Sequence, residues 1–315
     1  MAFCRCACIH INRATMQSRY VLIVLLAVVA TTGLAQIPDI KTMQQKEAEL
    51  KPLADKMIFG SMFEMRLEAN KDFVRHLVQA LETPYSFQYP FDSLQTVCVE
   101  NAPDNTFRIF TWEMQKDDNY FRQYGAIQMN TKDGKLKLFP LFDYSEFTEK
   151  PCDSIRSAKQ WIGALYYKIL KNTYQKKNYY TLLGLDDNDF LTTRKWMDVL
   201  TFNSKGEPEF GAPIFQYTYD TIKVEPPVDR FLLEYKKDAK AKLNYDPELD
   251  AIVFDHLVSD NDKPWQKTTL IPSGIYEGFR WKDGQWIHVK DIFSSDPESK
   301  TVPLPHPRED NGGIF

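Results

Sequence analysis

YYTLLGLDDNDFLTTRKWMDVLTFNSKGEPEF, residues 179–210, sets an aromatic apolar run, an acidic turn, a second apolar run and a Lys205-Gly206 turn side by side. Runs of that length with β-branched and aromatic residues, broken by Asp, Asn and Gly, read as consecutive antiparallel strands. Working outward, the same punctuation recurs at Asp133-Gly134, Asp246-Pro247 and Asp283-Gly284. Short alternating runs lie between these turns, at 95–99, 107–112, 124–129 and 135–141 before the central stretch. After it they lie at 215–219, 230–235, 241–245, 251–257, 274–281 and 286–289. The four runs before it form a meander, and at 151–170 a short helix followed by a strand is preferred over one longer helix.

Ahead of the strands the period is helical. Asp39 caps a helix to Phe59 that Gly60 ends and Pro52 kinks or splits. Ser61 and Glu64 have capping-box spacing for a second helix, whose stripe is Met65, Ala69, Phe73, Leu77 and Leu81, stopped at Thr83-Pro84. Helices first and strands after predict an α+β protein, with an N-terminal helical pair followed by a mainly antiparallel β-meander of sandwich, open-barrel or partial propeller form. The expected segments are a signal peptide at 1–35, a helical segment at 36–90, a β domain at 91–302 and a Pro- and Gly-rich tail at 303–315.

The first 35 residues bear on the address. Arg19 precedes an unbroken apolar run at 21–30, and Gly33 and Ala35 stand where a signal peptidase needs small residues, so the cut is expected after Ala35. The apolar stretch, about fifteen residues, falls short of the roughly twenty that span a bilayer. No stable membrane span is expected once it is removed, and the protein is expected to be exported to the periplasm or beyond. Met16 would start a signal of ordinary length, so 1–15, with Cys4, Cys6, Cys8 and His10, reads as an over-long start rather than a metal site. Gln36 offers no lipid-anchoring cysteine. Cys98 and Cys152 then remain; a disulfide between them and two free thiols are both open readings.

With 315 residues, 43% hydrophobic and a net charge of -4, the chain can bury a sizeable core and shows no basic run suited to nucleic acid. The segments FRIFTWE (107–113), YYTLLGLDDND (179–189), IVFDHL (252–257) and GIYEGFRWKDGQW (274–286) resemble exported proteins of Bacteroidota with no assigned activity. The resemblance implies an envelope or secreted address. It carries over no catalytic residues.

Candidate chemistry is sparse. Asp186, Asp187, Asn188 and Asp189 present oxygen ligands of the kind Ca2+ takes, yet lack the EF-hand Gly and terminal Glu, and the same residues commonly cap turns. Asp255 and His256, with His288, suggest an acid-base pair or half a metal site, but neighbours on a regular strand face opposite ways unless the strand bulges. No GxSxG, SxxK, HExxH, Walker or GxGxxG motif occurs, and 43 acidic residues give a carboxylate-pair pattern no specificity. His76 reads as packing beside the second helix stripe. Of the six tryptophans, Trp265 lies in a polar loop and is expected exposed, as a contact for a ligand or partner. Two functions follow as expectations. The first is a non-catalytic envelope or secreted protein binding a glycan, a peptide or a partner protein, without a cofactor. The second is a hydrolase using Asp186, Asp189 or Asp255.

Overall fold

Asp39 opens the first helix, α1 (Ile40–Phe59), by accepting from the amides of Lys41 and Thr42, and Gly60 closes it. The computed structural model describes residues 37–117, 119–217 and 227–293, so the expected signal segment and the tail lie outside the described residues. Helix α1 runs unbroken through Pro52, held on either side of it by burial of Leu50, Ala54 and Met57. The second helix, α2 (Phe63–Leu81), starts at Met62 without a side-chain cap, so the capping box expected at Ser61 and Glu64 does not form. Ser61 stands one residue too early. The helix start is tied down instead by Arg66, which donates to the carbonyls of Gly60 (2.7 Å) and Gln115 (3.1 Å). No helix among the described residues is long and apolar enough to cross a membrane.

The first sheet is a meander of β1 (Cys98–Asn101), β2 (Phe107–Asp117), β3 (Tyr120–Met129) and β4 (Leu138–Phe142), antiparallel in sequence order. Alternation sorts its side chains. Phe110 and Trp112 meet Met43, Leu50, Phe73 and Leu77 of the helices, whereas Phe107, Ile109 and Ile127 face away from them.

The central stretch makes the core of the second sheet. β5 (Arg156–Ser157), β9 (Pro208–Phe210), β8 (Thr192–Phe202), β7 (Lys177–Asp186) and β6 (Leu165–Tyr174) lie in that order, all antiparallel. β10 (Phe215–Gln216) leaves for the next sheet, and β11 (Phe231–Lys236) returns to pair with residues 192–197 of β8, just below the three residues that pair with β9. The last sheet runs β10, β15 (Gln285–Val289), β14 (Leu270–Lys282), β13 (Ala251–Ser259), β12 (Leu243–Asp246), with β10 and β15 the one parallel pair among the described strands. Its closing hairpin turns on Asp283 and Gly284, both with positive φ.

Three cores follow: helices on sheet one, sheet one on sheet two, and sheet two on sheet three. Sheet two is apolar on both faces. Tyr180, Leu182, Trp196 and Leu200 pack towards sheet one, while Leu183, Met197 and Val199 pack towards Phe254, Phe279 and Trp286 of sheet three. This is an α+β sandwich of stacked antiparallel sheets, with no closed barrel. The helices share a core with sheet one.

Where sheets one and two meet, space is set by Gly184, whose missing Cβ would lie 2.9 Å from Ala164 Cβ and 3.0 Å from Tyr166 Cδ1. Gly184→Ala is therefore expected to cost about 1–3 kcal/mol, read from the urea midpoint at unchanged slope. A neutral outcome would mean that Tyr166 yields freely. Cys98 on β1 and Cys152 are separate free thiols, so the disulfide reading is corrected. Burial pushes both up to about 11, which leaves them as unreactive thiols rather than thiolates.

Candidate functional site

Strand β13 loses its regular pairing with β14 between Asp255 and Leu257. That bulge removes the obstacle to Asp255 and His256 sharing a face, and both line one cavity of about 250 Å3. Its other walls include Tyr217, Phe231, Phe254 and Glu277. Glu277 is the centre of the arrangement. On β14 it stands two residues before Phe279, on the face turned to sheet two, and it accepts from three groups. These are the Tyr217 hydroxyl at 3.0 Å, His288 Nε2 at 2.7 Å and His256 Nδ1 in a very short contact.

Burial alone would raise the Glu277 carboxyl. Hydrogen bonds from His256 and His288, with their charge, overcome it and hold the group down at about 2. His256 is in turn raised above its ordinary value, mainly by its bond to Glu277 and against burial. His288 is packed under Tyr217 and Phe279, while His256 lines the cavity, with Nδ1 committed to Glu277 and Nε2 as the ring atom left for a ligand. A charged carboxylate that fixes one imidazole nitrogen sets the ring's tautomer and orientation. The result can donate to an anionic or carbonyl oxygen. Asp255 accepts from the Lys242 amide and Tyr235 packs nearby, so it buttresses the bulge.

Beside this cavity the loop joining β13 to β14 carries Trp265. It is 70% exposed, and Pro264 and Lys267 near it line the cavity. The other tryptophans serve the core: Trp112, Trp161, Trp196 and Trp286 are buried and Trp281 packs against Trp286. His76 is not part of this cavity's lining, and its Nδ1 lies 2.8 Å from the Asp72 carbonyl on α2.

The acidic turn between β7 and β8 is built differently from a cation cage. Asp186 Oδ1 accepts from Gln123 Nε2 (2.8 Å) and the Asn188 amide (2.7 Å), Asp187 pairs with Lys237 (3.1 Å), and Asp189 Oδ1 accepts from the amides of Leu191 and Thr192. Each acid turns to its own partner. No group of three or more His, Cys, Asp or Glu among the described residues is placed to hold a metal ion. Glu113, which projects from β2 into the same gap between sheets, shares the Gln123 amide with Asp186: Nε2 lies 2.8 Å from Asp186 Oδ1 and 3.5 Å from Glu113 Oε2. Burial, then the charges of Asp187 and Asp186, push Glu113 up to about 8, and burial pushes Asp186 up to about 7. Next to this pair, Gln115, Asn119, Phe121, Phe190 and Lys237 line an open cleft of about 590 Å3.

The three acids proposed from sequence are thus not gathered into one cleft: Asp186 and Asp189 belong to the turn and Asp255 to the bulge. Glu277 and Glu113 were passed over in the sequence. The signal was there, because each is a charged residue at an inward phase of a strand, after Phe107-Ile109-Thr111 in one case and before Phe279 in the other. The chain matches no family model, no curated protein and no solved structure.

Proposed function

We propose that the protein is an exported binding protein that takes a glycan or peptide ligand at the His256 cavity without turning it over. The observation that supports it is the exposed Trp265 ring beside a cavity in which Glu277 holds His256 as an oriented donor. Aromatic rings bind apolar ligand faces, and a few fixed polar groups set orientation. In this reading Trp265 supplies the contact area, and His256 Nε2 anchors a carbonyl or acidic oxygen.

Thermal unfolding of residues 36–315 against oligosaccharides, peptidoglycan fragments, short peptides and divalent ions tests it, since a ligand of the folded state raises the midpoint. A peptide or glycan shift is expected. Trp265→Ala and His256→Gln should each weaken that ligand roughly tenfold. A shift that both variants leave intact places the ligand elsewhere and ends this reading.

A second reading, a hydrolase, is supported by Glu113 and Asp186, two carboxyls that share the Gln123 amide and are raised into the range useful for proton transfer, beside an open cleft. Hydrolysis of any glycan or peptide in the same panel, abolished in Glu113→Gln, would favour it over binding alone.

A further inference from the structure

Four tryptophans are buried, and three of them satisfy their indole N–H: Trp112 on Asn70 at 2.8 Å, Trp161 on Tyr166 at 2.9 Å and Trp286 on Thr181 at 2.9 Å. Trp196 is the exception. At 2% exposure its Nε1 has no hydrogen-bond partner among the described residues. A buried donor left in that state is uncommon, because nothing repays the loss of its bond to water.

Trp196 lines a cavity of about 170 Å3, formed where β8 and β11 approach the segment after β4. Arg194 lines it too, and its Nε is likewise buried and unbonded, lying 3.2 Å from Glu234 Oε2 in a geometry that makes an ion pair but no hydrogen bond. Trp196 Nε1 therefore waits as an unfilled donor at one small polar cavity, beside a guanidinium that Glu234 holds in an ion pair. Acceptors face it. Ser145 donates its hydroxyl to Asp143 and Thr148 donates to the Tyr144 carbonyl, so both oxygens keep lone pairs, and Glu149 and Glu234 add carboxylates.

That mixture selects the ligand. A phosphate or carboxylate would satisfy Trp196 but would sit against two glutamates, whereas an ammonium group would suit the glutamates and leave the Trp196 N–H empty. Hydroxyl groups give and accept at once. On the same short segment Tyr144 and Phe147 hold their rings in contact, 5.0 Å apart, at 37% and 68% exposure. An exposed aromatic pair beside a pocket of mixed donors and acceptors fits the two faces of a sugar ring, one of C–H groups and one of hydroxyls. The volume is well below the several hundred Å3 of a drug-sized site.

We infer that the cavity beneath Trp196 binds one neutral saccharide unit, with Trp196 Nε1 and Arg194 donating to its oxygens, Glu149 and Glu234 accepting from its hydroxyls, and Phe147 against its ring. Leu232 and Glu234 of β11 line both this cavity and the His256 cavity, but Trp196, Arg194 and Glu149 line this one and not the other, so the inference stands whether or not the His256 cavity binds anything.

The test follows indole N–H signals of the full chain by two-dimensional NMR during titration with neutral mono- and disaccharides, with inorganic phosphate and acetate as parallel probes. Trp196→Phe identifies the signal by its loss. The expected result is a saturable shift of that signal with at least one saccharide and none with either anion. Phe147→Ala, at an exposed position, should weaken the affinity at least tenfold, and Phe59→Ala, similarly exposed at the end of α1, should leave it unchanged. The inference is overturned if the Trp196 signal is unmoved by every saccharide, if an anion moves it instead, or if Phe147→Ala binds as well as the parent.

Discussion

Asp198→Ala is expected to lower stability by about 3–5 kcal/mol, the largest loss we anticipate from a single exchange of a polar residue, because it strands a buried arginine. Asp198 and Arg230 are 2% and 0% exposed. Arg230 fills its two terminal nitrogens with the carbonyls of Pro151 (2.8 Å), Ser154 (2.7 Å) and Phe210 (2.7 Å), and its Nε lies 2.9 Å from Asp198 Oδ1, bent too far for a hydrogen bond but close enough to share charge. Among the described residues, Asp198 is the one carboxylate in an ion pair with it. Asp198 Oδ2 also accepts from the Tyr166 hydroxyl, which takes the Trp161 indole, so the loss would spread through three buried residues. Equilibrium urea unfolding of the parent and of Asp198→Ala measures it. A cost under about 1 kcal/mol would show that the carbonyls alone carry the guanidinium.

The second large effect concerns pH. Asp186 is raised by burial to about 7 and Glu113 to about 8 in the folded chain, so the folded state holds these protons more tightly than the unfolded one. Stability from these two groups is therefore greatest at acid pH, where both states are protonated. It falls as pH climbs from about 4 towards 7 or 8. For Asp186, three units of displacement correspond to a loss on the order of 4 kcal/mol. Asp186→Asn keeps an oxygen for the Gln123 amide and the Asn188 N–H and carries no charge to bury.

It is expected to be more stable than the parent at pH 8, by on the order of 2–4 kcal/mol, and equal to it near pH 4. Glu277 works with the opposite sign. Held at about 2, it stabilises above its unfolded value and loses that contribution as pH drops towards 2. Comparing the variant with the parent at each pH isolates Asp186 from Glu277. Parallel stability curves for the two proteins would rule out a buried, proton-sensitive Asp186.

The strands were legible because each is short and punctuated: Asp133-Gly134, Lys205-Gly206 and Asp283-Gly284 all sit between runs that became paired strands. The continuous apolar character of 180–185 and 196–200 also carried information, since a strand covered on both faces has no polar side to show. What the chain could not reveal locally was which sheet each strand joined. β11 returns to β8 across a long excursion, and β10 pairs in parallel with β15 some seventy residues on, pairings fixed by side-chain packing rather than by turn chemistry.

The capping box failed for a related reason. Ser61 has the right spacing to Glu64, but Arg66 anchors the chain one residue away, and tertiary contact outweighed the local motif. At the candidate site, Asp255 and His256 stood out in the sequence because His is scarce. Glu277 did not, being one acid among many, and only the fold sets it against both histidines.

The middle sheet, lined on both sides by its neighbours, also imposes an order on synthesis. When sheet one is complete at Phe142 and its helices are in place, Phe107, Ile109 and Ile127 still face nothing, because their cover comes from strands ending at Phe202. At ~5–20 residues per second, roughly 60 residues are several seconds of ribosome time during which an apolar sheet face is bare. The opposite face of the middle sheet then waits in turn for Phe254, Phe279 and Trp286. A nascent chain arrested anywhere between these points displays an aggregation-prone surface, so its yield in the cell depends on uninterrupted elongation or on a chaperone held at that surface until the last hairpin closes.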